Sequence, residues 1–150
     1  MYKRIFSFIV VALLFVCTSC SKKQEPKAER PLFSAADTAQ VLSMVNGFMT
    51  DMQAKNYDAA IGSLKVLNGA MVKDLTDDER KDLIGYYKTF PVLTYKLVDQ
   101  LWNDRDLIHY TYSVEFFEKP EGVEMPNTYK LTLVPVRIDN VWYLTLGSRQ

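Results

Sequence analysis

Cysteine and histidine are scarce in this sequence, and neither sign of charge is in excess. Two cysteines and a single histidine, His109, are too few nitrogen and sulfur ligands for a structural zinc site. Eighteen basic side chains balance eighteen acidic ones, so no basic field is present to draw nucleic acid. There is no Gly-rich phosphate loop and no Ser/His/Asp arrangement. "NDRDL" at 103–107 lacks the glycine and spaced oxygen ligands of a calcium loop. Neither a metal nor a cofactor is expected. The apolar run at residues 5–16, broken by Ser7, is shorter than the roughly 20 residues that cross a bilayer. No internal repeat or low-complexity tract divides the chain.

What is present begins at the N-terminus. Lys3 and Arg4 precede the apolar run, and the small, polar Cys17-Thr18-Ser19 follows it. This order fits a secretory signal peptide over residues 1–19. "VCTSC", residues 16–20, resembles a bacterial lipobox. The resemblance implies cleavage before Cys20, diacylglycerol on its sulfur, and acylation of the new amine with a palmitate-type chain. Ordinary secretory cleavage would instead leave Cys20 as a free thiol. A Cys17–Cys20 pair is disfavoured, because cleavage discards Cys17 and the chain has no other cysteine. One acyl chain binds a membrane marginally, whereas two or three hold firmly. Ser21 after the cysteine points, in lipoproteins of this kind, to the outer membrane.

Residues 20–32 read as the lipidated cysteine and a flexible tether. "SKKQEPKAERP" has no apolar residue larger than alanine, so it has no surface whose burial would offset ordering. The folded domain is expected over 33–150. Ser34 with Asp37 forms a capping box, and Val41, Val45, Phe48 and Met52, with Leu42 and Met49 beside them, recur at helical spacing. Asn56 is placed to cap a short second helix with Tyr57, Ala60, Ile61 and Leu64 as its apolar positions, shortened or frayed by Gly62, Asn68 and Gly69. "TDDE" at 76–79 opens a third helix with Leu83, Ile84 and Tyr87 on its apolar stripe, and Pro91 ends it. The pattern then alternates. Residues 92–102, 107–118, 128–138 and 141–147 read as four strands, with hairpin turns at "NDRD" (103–106) and "DN" (139–140). Helices first and hairpin-linked strands after imply an α+β fold, three helices packed on one face of a four-stranded antiparallel sheet.

This order of elements resembles the NTF2-like (cystatin-like) α+β superfamily. "AKNYDAAIGSL" (54–64), "LTDDERKDL" (75–83) and the closing "DNVWYLTL" (139–146) carry the resemblance. It implies a curved sheet and a conical pocket between sheet and helices. In some relatives that pocket is catalytic or holds a ligand; in others side chains fill it.

Strand parity sorts the candidate residues. Ile108, Tyr110, Tyr112, Val114 and Phe116 point one way, toward core or pocket; His109, Thr111, Ser113 and Glu115 point the other. On the first strand, Leu93, Tyr95, Leu97, Asp99 and Leu101 share a face under strict alternation. That places Asp99 as a candidate general base near Tyr110 and Tyr112. A bulge near Val98 would instead turn Asp99 to solvent. Tyr86, Tyr87, Tyr95, Tyr110, Tyr112 and Trp142 either line a cavity or fill the core.

The function expected from these residues is a membrane-anchored lipoprotein of the cell envelope. Its NTF2-like domain binds a small ligand or a partner protein without catalysis. Two alternatives stay open: a pocket isomerase or dehydratase using Asp99 and a tyrosine, and an accessory subunit of an envelope complex. The polar sheet face with His109 and Glu115 is the expected contact surface, including for a homodimer.

Overall fold

The computed structural model describes residues 33–102 and 108–147. Cys20, the leader, the tether and the turn at 103–106 lie outside the described residues. Three helices, α1 (Ala35–Gln53), α2 (Tyr57–Gly62) and α3 (Asp77–Thr89), precede a four-stranded antiparallel sheet. Its strands are β3 (Thr94–Trp102), β4 (Ile108–Glu115), β5 (Thr128–Ile138) and β6 (Val141–Leu146), side by side in that order. This is the α+β layout that the resemblance to NTF2-like domains implied. A small hairpin, β1 (Lys65–Asn68) and β2 (Met71–Asp74), lies between α2 and α3 in sequence and was not anticipated. Leu64, just before it, bridges in parallel to Leu144 of β6, so the hairpin sits at that edge of the sheet.

Local chemistry explains the boundaries. The Ser34 hydroxyl accepts the Asp37 amide at 3.1 Å, and the Asp37 carboxylate accepts the Ser34 amide at 2.8 Å. Thr76 and Glu79 form the same reciprocal box at the start of α3. Asn56 does not cap α2: its side-chain amide donates back to Asp51 at 3.2 Å. Lys55, at φ 61°, takes the left-handed conformation that ends α1. The β5–β6 turn has Asp139 and Asn140 both at positive φ, 50° and 63°, which is the backbone of a type I′ hairpin. Pro135 is tolerated within β5 because pairing to β4 stops at Leu133.

One core holds these layers together. From the helices it takes Val41, Val45, Phe48, Met49 and Met52 of α1, Ile61 of α2, and Leu83 and Tyr87 of α3. From the sheet it takes Ile108, Tyr110, Tyr112 and Val114 of β4, Leu131 and Leu133 of β5, and Trp142 and Leu144 of β6. Leu42, placed beside the α1 stripe by the sequence, is exposed instead.

The domain's entry is clasped to the sheet. Asp37 in the first turn of α1 accepts the Trp142 indole N–H at 2.9 Å and faces the Arg137 guanidinium at 3.4 Å. Arg137 lies over the rings of both Phe33 and Trp142, 5.6 and 5.5 Å from their centroids. The hydrogen bonds from Ser34 and Trp142, then the Arg137 charge, hold the Asp37 carboxyl far below the usual carboxylate range.

Candidate functional site

A working site has two places to form: between helices and sheet, or on the sheet's outer face. The aromatic residues decide the first. Tyr87, Tyr110, Tyr112 and Trp142 are buried in the core cluster, and Tyr86 and Tyr95 are partly buried against it. Their rings pack edge to face, Tyr95 on Tyr112 at 5.6 Å and Tyr86 on Tyr87 at 5.1 Å. Trp142 is committed to the Asp37 clasp. The Tyr110 hydroxyl accepts from the Trp102 indole at 3.1 Å and from the Gln100 amide at 3.3 Å. Burial, with Tyr110 and Tyr95 beside it, pushes the Tyr112 phenol up to about 12. Burial also raises Tyr110, against the lowering effect of the Trp102 hydrogen bond. A phenol so shifted holds its proton throughout the physiological range, which suits packing better than proton transfer.

Asp99 lies on the other side of the sheet. Leu97 pairs with Tyr112, but Asp99 pairs with Thr111, because the register slips by one residue at Val98. The bulge flips the parity of everything after it: Gln100 and Trp102 come to the core side, while Asp99 and Leu101 face out. Asp99 is 63% exposed and accepts from His109 Nε2 at 2.8 Å. The structure therefore brings Asp99 together with His109 and keeps it apart from Tyr110 and Tyr112.

The outer face is open. It forms a depression of about 1070 Å³ whose floor includes Thr111, Ser113, Thr132 and Val134, with Asp99 and His109 among its other lining residues. The ladder pairs arrange this face in cross-strand rows. Thr94, Glu115 and Thr128 make one row; Lys96, Ser113 and Lys130 the next; Asp99, Thr111 and Thr132 the third. The Thr94 hydroxyl donates to Glu115 at 2.9 Å, and the Thr111 and Thr132 hydroxyls bond each other at 3.0 Å. Gly147 closes the depression, its amide donating to the Thr132 carbonyl at 2.8 Å. A β-carbon there would stand 2.9 Å from Thr132 Cγ2, so close an approach requires glycine. Among the described residues, no group of three or more His, Cys, Asp or Glu converges to hold a metal.

Lys96, Lys130 and Thr132 were not singled out from the sequence. For Lys130 and Thr132 the signal was present in the alternation of β5, where Thr128, Lys130, Thr132 and Val134 oppose Tyr129, Leu131 and Leu133.

No protein-family model matches the chain, and no curated protein matches it. Among solved structures it is similar to an NTF-2-like protein of unknown function from Shewanella oneidensis MR-1. The two are 12% identical, the match covers 74% of this chain and 98% of that one, and the TM-score is 0.40.

Proposed function

We propose that the chain is a lipid-anchored, non-catalytic binding module of the bacterial cell envelope. Acylated Cys20 holds it to the membrane, with the outer membrane as its destination, and the outer face of the sheet takes a small ligand or a partner protein. The address rests on residues 1–21: the charged start, the short apolar run and the lipobox-like exit. The binding role rests on one observation: the space between helices and sheet is filled by side chains, while the outer face is open and lined with polar groups. The bulge puts Asp99 on the face opposite Tyr110 and Tyr112, which counts against a pocket enzyme built on those groups.

Two measurements test the proposal. Intact-mass analysis of membrane-extracted protein is expected to give a chain beginning at Cys20 with diacylglycerol and a further acyl group. An unmodified chain, or one that retains Met1, refutes the anchor. Native mass spectrometry of protein purified from its own host is expected to show a co-purifying mass that Thr111→Arg/Thr132→Arg abolishes without lowering Tm. Retention of that mass in the blocked variant removes the outer face as the working surface. If the bound mass equals the chain itself, the partner is a second copy.

A further inference from the structure

We infer that the outer face takes a single-chain amphiphile, with an uncharged, hydroxylated head on the floor at Thr111 and Thr132 and an alkyl tail in a groove beside the β1–β2 hairpin. The inference rests on the outer face being the working surface and adds the chemical class of what binds there. The depression on that face does not stop at β5. A groove of about 430 Å³ adjoins it, and Val134 and Gly147 line both. Val134 pairs with Thr145, and the Gly147 amide donates to the Thr132 carbonyl, so floor and groove are joined across β5 and β6. Three strand spacings of about 4.8 Å separate β3 from β6, so the trough runs roughly 14 Å before it reaches the hairpin.

The two ends of the trough differ in what they offer. In the groove, Leu64, Val66, Leu67, Leu75 and Leu146 supply apolar walls. Its polar side chains are already engaged: the Thr145 hydroxyl donates to the Val134 carbonyl at 2.8 Å, and Lys65 pairs with Asp74. Leu67 is 49% exposed, so part of this apolar wall stands in water until a ligand covers it. The floor keeps hydrogen-bonding capacity. The Thr111 and Thr132 hydroxyls share one hydrogen bond, which leaves one O–H to donate and lone pairs to accept. Acidic Glu115 and Asp99 and basic Lys96 and Lys130 stand in the rows of the same face, so neither sign of charge is favoured and a neutral head fits. Gly147 stands where the two ends meet. A side chain there would press on Thr132 Cγ2 and stand in the passage between floor and groove. A wholly polar ligand would leave the groove wet, and a wholly apolar one would strand the hydroxyls. The groove is single, which suits one alkyl chain and not the two of a phospholipid.

The test uses the full chain in nanodiscs, titrated with butyl, hexyl and octyl glucoside, each kept monomeric, with empty discs as the blank for partitioning. Glucose supplies the head without a tail. Backbone amide NMR shifts at Thr111 and Thr132, and at Leu67 and Leu146, are expected to saturate together, with one Kd for each glucoside. Each added methylene is expected to tighten that Kd about fourfold, and glucose to leave the groove residues unmoved. Leu67→Glu sets a charge on the groove wall at an exposed position. It is expected to weaken octyl glucoside by roughly tenfold or more, with Tm unchanged. An affinity that does not rise with chain length, shifts confined to one of the two sets, or shifts kept in Leu67→Glu overturns the inference. The same variant separates this inference from the broader proposal. If the co-purifying mass is lost in the Thr111/Thr132 variant but kept in Leu67→Glu, the face stands and the amphiphile falls. If it is kept in both, both fall.

Discussion

On one face of β4, Ile108, Tyr110, Tyr112 and Val114 are buried beneath three helices; on the other, His109, Thr111, Ser113 and Glu115 remain reachable by water. The same strand thus serves two trades. Groups on the covered face are spent on each other: rings meet rings, and the Tyr110 hydroxyl accepts from Trp102 and Gln100. On the open face, Lys96, Ser113 and Lys130 make no side-chain hydrogen bond or ion pair among the described residues. The comparison teaches that filling, not fold, decides where a helix-on-sheet domain can work. A cavity under the helices would leave polar tips without partners, whereas no buried side-chain nitrogen or oxygen among the described residues lacks one.

The sharpest way to break this comparison is to empty the covered face. Tyr110→Ala removes a ring that is 1% exposed and leaves a cavity. The expected loss is about 3–5 kcal/mol in urea denaturation, the range for large aromatic truncations. A loss under about 1 kcal/mol would mean that the space was never tightly filled, and would return the helix side to consideration as a binding pocket.

The Asp37 clasp comes next, with a pH signature. Its carboxyl is held down in the folded protein, so the unfolded chain binds a proton first as pH falls. The stabilisation is complete above the unfolded value near pH 4 and is lost as pH drops through the lower folded value. Asp74 and Glu79, lowered by the Lys65 and Thr76 partners respectively, act in the same window. Asp37→Asn is expected to flatten the acid limb of a Tm-against-pH curve and to leave the neutral limb lower but parallel. An acid limb unchanged from wild type would show that the clasp does not bind Asp37 in its charged form.

Much of this was readable from residues, and the gaps have physical causes. The strand over 128–138 is legible because alternation runs unbroken and Asp139-Asn140 suits two positive φ values. The β1–β2 hairpin was hidden because Gly62, Asn68 and Gly69 read equally well as the frayed end of α2. Gly69, at φ 62°, opens a two-residue turn between Asn68 and Met71. The bulge at Val98 carries no glycine or proline to announce it. Its one trace is that Tyr95 and Trp102, both large aromatics suited to a core, stand an odd number of positions apart on one strand. Strict alternation cannot bury both, so a slip between them was implied. Strict alternation puts Asp99 among the tyrosines; the bulge near Val98, its stated alternative, is the one the structure takes. The open face was legible only as parity, since its rows depend on register between strands far apart in sequence.

Gly147 sharpens the contrast from the open side. Gly147→Ala sets a methyl group against the branched Thr132 side chain, which has little freedom to move. The expected cost is about 1 kcal/mol, well below that of the core truncation. Because Thr132 shares a hydrogen bond with Thr111, the change should appear in the amide shifts of both and spare those of Tyr110 and Tyr112. Equal disturbance of both faces would show the sheet transmitting strain through its backbone, and the two surfaces would not be independent.

The smallest expected effect carries the most information about the open face. Removing a surface charge ordinarily changes stability by less than about 0.5 kcal/mol in either direction. Lys130→Gln should instead be neutral to slightly stabilising. Two ammonium groups roughly 10 Å apart in water repel by about 0.4 kcal/mol, and the Glu115 and Asp99 carboxylates in the adjoining rows offset part of it. That distance is close to the screening length at 0.1 M salt, so the gain should shrink as salt is raised toward 1 M. A Lys130→Gln variant that is less stable than wild type at every salt concentration would mean that the lysine already has a partner on the face.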